Sequence, residues 1–179
     1  MRIISGYHRG RKIQAPKNLP VRPTTDMAKE ALFNILNNRY YFDEISVLDL
    51  FSGTGNIAYE FASRGTTDIL SVDSYNGCVK FIEQTAKALE MPISTIKSDV
   101  FKFLEHHNNS YTIVFADPPY DFSIEDFEKI PKLVFEKDLL EEDGVLIVEH
   151  SKHTDLSDVE CFSFSKNYGG SRFSFFEKK

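Results

Sequence analysis

The length, composition and charge of the chain limit what it can be. Its 179 residues are 41% hydrophobic and 27% charged, which fits a single globular domain, and no apolar run reaches the length of a membrane span. The formal net charge of -6 argues against a nucleic-acid partner unless positive charge is concentrated in one segment.

Such a concentration occurs in the first 22 residues, where "RIISGYHRGRKIQAP" predicts a small β-ribbon that turns near Arg9 and Gly10. This segment holds six basic residues and no acid, whereas the remainder holds the other 15 of the 21 basic residues and all 27 acidic ones. A cationic arm on an acidic body is typical of a nucleic-acid contact, although a solvated basic tail fits the charges equally well. The basic residues of the arm are Arg2, Arg9, Arg11, Lys12, Lys17 and Arg22.

After the arm, the sequence predicts one helix and then a regular alternation of strands and helices. "TTDMAKEALFNILNN" (24–38) begins with capping residues and carries an apolar stripe at helical spacing. Continuous apolar runs indicate strands that are covered on both faces, and their alternation with helices predicts a mainly parallel, doubly wound sheet. The predicted strands span residues 46–51, 68–73, 93–99, 111–117 and 144–150, and the predicted helices span 56–65, 75–90, 100–107 and 124–137.

The C-terminal part of the sequence has a different pattern. "ECFSFSKNYG" and "SRFSFFEK" are aromatic-rich alternating runs on either side of Gly169 and Gly170, and they predict a closing antiparallel hairpin. The segment "EEDG" (141–144) is interpreted as a surface turn ahead of the fifth strand. We therefore expect one α/β domain over residues 1–179, with a basic ribbon (1–23), a helix (24–38) and a main α/β core (46–179).

Four successive predicted strands carry an aspartate at or near their carboxyl ends, where open α/β sheets bind ligands. Each aspartate could simply cap the helix that follows it, but four at one edge favour a ligand site. They are Asp49, Asp73, Asp99 and Asp117.

The first of these strands leads into "DLFSGTGN", where Gly53 and Gly55 permit a tight turn and a close approach of ligand to backbone. NAD suits this loop, because "GTGNIA" fits the loose dinucleotide pattern and Asp73 lies where a ribose-binding acid is expected. S-adenosylmethionine suits it as well, with its ribose on Asp73 and its adenine amine on Asp99. Asp49 favours S-adenosylmethionine, because a carboxylate attracts that ligand's cationic end and repels a pyrophosphate. The expected cofactor-binding residues are Asp49, Phe51, Gly53, Thr54, Gly55, Asp73, Asp99 and Val100.

The fourth strand ends in "DPPY", which predicts a rigid turn that is rich in hydrogen-bond acceptors. Proline keeps the preceding Asp117 extended, and neither Pro118 nor Pro119 has an N–H group. The Asp117 carboxylate and the Pro118 carbonyl can therefore grip the amino group of a planar base while Tyr120 stacks on its ring. Such a grip orients a poorly nucleophilic lone pair toward a sulfonium methyl group. The alternative is a helix-initiating turn with a packed tyrosine.

Four segments together resemble the RsmD-type bacterial 16S rRNA guanine-N2 methyltransferases over essentially the whole chain: "MRIISGYHRGRKIQAP", "RPTTDMAKEALFNIL", "VLDLFSGTG" and "IVFADPPY". The resemblance implies a seven-stranded class I methyltransferase fold, S-adenosylmethionine as cofactor, and a target of the guanine-966 type in 16S rRNA of a 30S subunit or assembly intermediate. It also implies that Asp117 to Tyr120 are catalytic. Substrate contacts are expected from Arg2, Arg9, Arg11, Lys12, Arg22, Thr24 and Thr25.

Two other classes of function are considered. A DNA adenine or protein glutamine methyltransferase could carry a related motif, but glutamine-specific sites generally have Asn in place of Asp117, and no target-recognition domain is evident. A non-enzymatic RNA-binding module is disfavoured by the intact "DPPY".

Cys78 and Cys161 have no metal-ligand or disulfide spacing, so we expect reduced thiols in a cytoplasmic, metal-free monomer.

Overall fold

The order of helices and strands follows the predicted alternation. The computed structural model describes residues 1–22 and 24–179, and within these ranges no helix is long and apolar enough to cross a membrane. The helices are α1 (Asp26–Asn37), α2 (Asn56–Ser63), α3 (Asn76–Ala88), α4 (Val100–His106) and α5 (Ile124–Glu136). The strands are β1 (Ser46–Leu50), β2 (Asp68–Asp73), β3 (Ile93–Lys97), β4 (Tyr111–Ala116), β5 (Leu140–Ser151), β6 (Phe162–Tyr168) and β7 (Ser171–Phe176).

The seven strands of the described chain form one sheet in the order β3-β2-β1-β4-β5-β7-β6. Strands β1 to β5 pair in parallel, and β7 runs antiparallel to both β5 and β6, which confirms the predicted α/β class and its closing hairpin. The chain order reverses where β1 lies between β2 and β4. A crevice forms at such a reversal because the helices following the two adjacent strands lie on opposite faces of the sheet.

The helices cover both faces of this sheet. Along β1, Val47 packs into a core with residues of α1, α2 and α3, whereas the next residue, Leu48, packs into a second core with residues of α4 and α5. Successive side chains of a strand point to opposite faces, so a strand that is covered on both sides is expected to be mostly apolar along its whole length. This explains the continuous apolar run of β4, in which all six residues are buried.

Strand β5 is longer than predicted, since it begins at Leu140 rather than at residue 144. The pairing with β4 shifts between Tyr111 and Ile113, so the "EEDG" segment is part of an irregular strand and not a turn ahead of it. Gly144 makes this possible: a Cβ there would lie 2.9 Å from the carbonyl oxygens of Glu141 and Thr112. A close approach of two backbones was not visible in the residue pattern.

The N-terminal ribbon docks on α2. It is a single antiparallel bridge between Arg2 and Lys12, closed by a turn over residues 5–10. The buried Glu60 carboxylate accepts the backbone N–H groups of Ile4 and Ser5 at 2.9 and 3.1 Å. The chain then passes so close to α2 that the N–H of Tyr7 donates to the carbonyl of Ser63 at 2.7 Å.

Two glycines of the ribbon test how tightly it is docked. Gly6 and Gly10 have positive φ values of +89° and +81°, but a Cβ at Gly6 would lie 1.9 Å from the Ser63 carbonyl oxygen and a Cβ at Gly10 would meet no atom within 4 Å. Gly10→Ala should lower the free energy of unfolding by about 1 kcal/mol, because alanine disfavours positive φ. Gly6→Ala should cost about 1–3 kcal/mol more, because the ribbon must shift from α2. Equal losses for the two variants in denaturant unfolding would contradict the docking.

Candidate active site

A cavity of about 800 Å³ opens at the point where the strand order reverses. Its walls come from the carboxyl ends of β1, β2 and β4 and from the segment that precedes α1. Of the residues proposed from the sequence, the structure brings these to the lining: Asp49, Phe51, Gly53, Thr54, Asp73, Asp117, Pro118, Pro119, Tyr120, Arg22 and Thr24.

The loop between β1 and α2 has the strained backbone that its glycines predict. Phe51, Gly53 and Gly55 have positive φ values of 53°, 57° and 88°. Gly53 lines the cavity, as expected. Gly55 does not: it caps α2, and a Cβ there would lie 2.7 Å from the Tyr59 ring. The lack of a side chain at Gly55 serves packing against α2, and a contact of Gly55 with the cofactor stays a prediction.

Asp73 holds this loop to the end of β2. Its two carboxylate oxygens accept the N–H groups of Gly53 and Tyr75, both at 2.9 Å. Burial raises the pKa of Asp73, and the two N–H bonds oppose that effect. The carboxylate therefore lies at the cavity wall with a fixed orientation, as a partner for vicinal hydroxyls requires.

Asp49 lies deeper in the same wall, with 2% of its surface exposed. Its carboxylate has the Ser71 hydroxyl at 3.5 Å. Burial raises the pKa of Asp49 well above its usual range, and the negative charge of Asp73 raises it further. A ligand with a positive charge would relieve both effects, whereas a pyrophosphate would be repelled.

Asp99 and Val100 lie outside the cavity lining. Asp99 caps α4, with its Oδ1 accepting the N–H of Lys102 at 3.0 Å, and Val100 is buried in the core beneath that helix. The cap accounts for one oxygen of Asp99, and its expected hydrogen bond to an adenine amine stays a prediction. On this side the cavity wall is Phe51, whose ring centroid lies 5.6 Å from that of Phe122.

The "DPPY" turn forms the opposite wall. The N–H of Asp117 bonds to the carbonyl of Leu50 at 3.4 Å, which ties the turn to β1, and the hydroxyls of Tyr120 and Ser171 lie 2.7 Å apart. Burial raises the pKa of Asp117 well above its usual range, and the nearby Glu149 carboxylate adds to the shift, while Arg22 opposes it. The turn thus presents a desolvated carboxyl group beside an aromatic ring.

Two residues of the segment before α1 complete this wall. Arg22 lies 3.4 Å from Asp117 Oδ1 and 3.6 Å above the Tyr120 ring. Thr24 donates its hydroxyl to Glu149 Oε2 at 2.6 Å. Glu149 was missed by the sequence reasoning, although a glutamate within the apolar run "GVLIVEH" is a recognisable signal, because charged residues are rarely buried without a partner.

The other expected substrate residues lie apart from the cavity. Arg9, Arg11 and Lys12 are exposed on the ribbon. Arg2 pairs with Asp26 at 3.4 Å. Thr25 caps α1 by accepting the N–H of Ala28 at 3.2 Å, so a helix cap explains this residue without a substrate.

The strand order and the cavity lined by Asp49, Gly53, Asp73 and the "DPPY" turn define a class I methyltransferase, the class that uses S-adenosylmethionine. The chain belongs to the family described as "Conserved hypothetical protein 95", the RsmD-type methyltransferases, whose family model matches residues 1–177. Both the fold class and the family expected from the sequence are confirmed, as is the preference for S-adenosylmethionine over NAD.

Individual relatives agree with this membership. The "Putative rRNA methyltransferase YlbH" of Bacillus subtilis is 32% identical over 164 residues, which cover 89% of this chain and 87% of that protein. The "Ribosomal RNA small subunit methyltransferase D" of Haemophilus influenzae is 29% identical over 171 residues, which cover 93% of this chain and 86% of that protein. The solved structure described as "Putative methyltransferase yhhF from Escherichia coli" is 26% identical, has a TM-score of 0.86, and matches over 100% of this chain and 98% of that one.

Asp73 provides a test of the cofactor half of the cavity. Asp73→Ala should weaken the binding of S-adenosylmethionine by about 1–3 kcal/mol, because a charged hydrogen-bond partner is lost and the Gly53 N–H is released. Asp68→Ala, at the exposed start of the same strand, is the matched control and should leave the affinity unchanged. Titration calorimetry checks both variants, and an unaltered affinity in Asp73→Ala would remove this residue from the cofactor site.

Proposed function

We propose that this protein transfers a methyl group from S-adenosylmethionine to the N2 amine of a guanine in 16S rRNA, at guanine 966 or its equivalent, in a 30S subunit or assembly intermediate. The observation that carries the proposal is the position of the "DPPY" turn, which faces the Gly53 loop and Asp73 across one cavity. An acceptor-rich turn opposite a loop suited to a nucleoside cofactor fits methylation of an amino group.

The residues present fit the cofactor. Asp73 would hold the ribose hydroxyls, and the buried Asp49 would face the positively charged ammonium end of the cofactor. No positive group of the described residues is among the causes that shift the pKa of Asp49, so the ligand would supply the compensating charge. Gly53 allows the backbone to come close, and the first N–H groups of α2 are available to a carboxylate. When bound there, S-adenosylmethionine supplies an electrophilic methyl group.

The turn would prepare the nucleophile. Asp117 and the Pro118 carbonyl would accept hydrogen bonds from the two hydrogens of the amino group, while Tyr120 stacks on the base. This holds the nitrogen lone pair out of conjugation with the ring and places negative charge beside a nitrogen that becomes positive. The product nitrogen then loses one proton, which the Asp117 carboxylate hydrogen-bonded to it would accept.

The rRNA target rests on the relatives and on the surface of the ribbon. Several relatives are named as rRNA methyltransferases, among them small-subunit enzymes. The ribbon exposes Arg9, Arg11 and Lys12, and Tyr7 beside them is 88% exposed. Cationic side chains next to an exposed aromatic ring suit an RNA backbone with an unstacked base.

The direct experiment offers the protein three substrates: deproteinised 16S rRNA, 30S subunits and an assembly intermediate, all from cells that lack the native modification. Each is incubated with S-adenosylmethionine carrying a labelled methyl group. Label should appear as N2-methylguanosine after digestion to nucleosides, and primer extension should map it to one position. Label in N6-methyladenosine, or in DNA offered in parallel, would refute the proposed target.

Asp117 is the residue on which the chemistry depends most. Asp117→Ala should lower the single-turnover rate by about 10²–10⁴, the range for a positioned polar group, and leave binding of S-adenosylmethionine nearly intact. Asp117→Asn should be slow but not inactive, because it keeps one acceptor oxygen and loses the charge. Asp143→Ala, exposed at the other end of the sheet, serves as control. Full single-turnover activity in Asp117→Ala would show that the motif is a structural turn without a catalytic role.

The ribbon is tested through the salt dependence of RNA binding. If Arg9, Arg11 and Lys12 contact phosphates, replacing all three with Ala should reduce the slope of log affinity against log salt by about 2–3. Replacing three exposed lysines at α4 and α5, namely Lys102, Lys132 and Lys137, should leave the slope unchanged. Filter binding at several salt concentrations measures both triple variants. Identical slopes in the two would make the ribbon a solvated tail.

A further inference from the structure

Arg22 occupies the place that the proposed function gives to the target base. Its guanidinium carbon lies 3.6 Å from the centre of the Tyr120 ring, on the face where a base would stack. One terminal nitrogen lies 3.4 Å from Asp117 Oδ1, the acceptor assigned to the amino group. A base cannot use this ring face and this carboxylate while the guanidinium remains there.

The second terminal nitrogen of Arg22 points to another acceptor. It lies 3.9 Å from Glu149 Oε1. Glu149 has a fully buried side chain, and its Oε2 accepts the Thr24 hydroxyl. Burial raises the pKa of Glu149, and a hydrogen bond with the Ser171 hydroxyl opposes that effect. Its Oε1 nevertheless has no hydrogen bond of good geometry among the described residues. Buried polar atoms are nearly always paired, so a carboxylate oxygen that lies 3.9 Å from the guanidinium without a close donor has capacity for a ligand atom that donates to it.

The guanidinium and the edge of guanine have the same donor pattern. Guanine carries its 2-amino group on a carbon that also bears N1–H, so two donors project side by side in the plane of the ring, as in the fork of an arginine. Adenine places an acceptor nitrogen beside its amino group, and that nitrogen would face a carboxylate oxygen unfavourably. Two carboxylates bridged by a guanidinium therefore suit guanine and disfavour adenine.

We propose that Arg22 is an internal stand-in for the donor edge of the target guanine, held between Asp117 and Glu149 over Tyr120 until the guanine displaces it. In the bound state the 2-amino group lies at Asp117 and N1–H at Glu149, which makes Glu149 a specificity-determining residue. This rests on the proposed function, because it takes the same cavity as the base site. The Arg22 side chain, 48% exposed, has solvent to move into and reaches the RNA phosphates from there.

Displacement of a cation by a neutral base leaves two carboxylates close together. Burial and the Glu149 charge already raise the pKa of Asp117, and burial raises the pKa of Glu149 as well. The pair can therefore keep one proton between them when Arg22 leaves. A protonated carboxyl group still has a carbonyl oxygen that accepts a hydrogen bond, so both donors of the guanine edge find an acceptor.

The test measures guanosine binding by equilibrium dialysis with the cofactor site saturated by S-adenosylhomocysteine. Guanosine is neutral, so phosphate contacts play no part. Arg22→Ala should bind guanosine about tenfold more tightly than the unaltered protein, which corresponds to about 1.4 kcal/mol of displaced contacts. Adenosine should gain clearly less than guanosine, because Arg22→Ala frees the Tyr120 face for stacking but leaves the acceptor nitrogen of adenine facing a carboxylate. Arg39→Ala is the matched control, because Arg39 also pairs with a carboxylate, Glu177, and lies 5.3 Å over a tyrosine ring, Tyr40, outside the cavity.

A competition experiment tests whether a free guanidinium occupies the same place as guanosine. Methylguanidine at millimolar concentration should compete with guanosine in Arg22→Ala and not in the unaltered protein, whereas methylammonium, which has the charge but no planar fork, should not compete. Arg22→Lys provides a second variant and should bind guanosine more tightly than the unaltered protein. In the Arg22→Ala background, Glu149→Gln should weaken guanosine and spare binding of S-adenosylmethionine.

The proposal is overturned if guanosine affinity is unchanged, lower or undetectable in both Arg22 variants while S-adenosylmethionine still binds, or if methylguanidine fails to compete. The proposed function fails separately, if unaltered protein makes no N2-methylguanosine in 16S rRNA. Tight guanosine binding by Arg22→Ala without any methyl transfer to rRNA would support the base site and refute the reaction.

Discussion

Negative charge held out of water at the reversal of strand order is the constraint on which the rest of the site depends. Burial raises the pKa of four carboxyl groups there, those of Asp49, Asp73, Asp117 and Glu149. Within the described cavity lining, Arg22 is the only lysine or arginine that offsets this charge. Such a cluster is unfavourable for folding unless something compensates for the lost hydration. Backbone N–H groups compensate Asp73 for its lost hydration. The oxygens of Asp49, Asp117 and Glu149 can still accept hydrogen bonds, so a ligand with donors or a positive charge can bind to them.

One of these carboxylates, that of Glu149, is connected to the ribbon through a chain of hydrogen bonds. The buried Lys29 ammonium donates to the Arg2 carbonyl at 2.5 Å and to Asn56 Oδ1 at 2.8 Å. Asn56 in turn donates to the Thr24 carbonyl at 3.1 Å, and the Thr24 hydroxyl donates to Glu149. The basic arm, the start of α2 and the floor of the base site are therefore fixed relative to one another. If, as proposed, RNA binds to the ribbon and the reaction takes place in the cavity, this fixed geometry sets the distance between the two.

The features that the sequence predicted are those set by local pattern. Apolar runs, the Gly53 turn and the "DPPY" segment each act within a few residues, so the sheet, the tight loop after β1 and the acceptor-rich turn after β4 could be placed in advance. The features that it missed depend on distant pairings. The place of Glu149 in the site is visible only from its contacts with Thr24 and Arg22, which are more than a hundred residues away in the chain. Asp99 shows a different limit, since an aspartate after a strand fits a ligand and a helix cap equally well, and the structure shows the cap.

The position of the two prolines gives the turn its chemical character. The one N–H group of the Asp117–Pro118–Pro119 segment belongs to Asp117, and it is already used by the Leu50 carbonyl. The segment therefore offers acceptors and no free donor to whatever enters the cavity beside it. In the proposed reaction the incoming base supplies the donors itself, and the positive charge that develops on its nitrogen during methyl transfer would be stabilised by the same oxygens that position it. A strand that ended in ordinary residues would place N–H groups at this spot, where they would compete for the carboxylate and repel the forming cation.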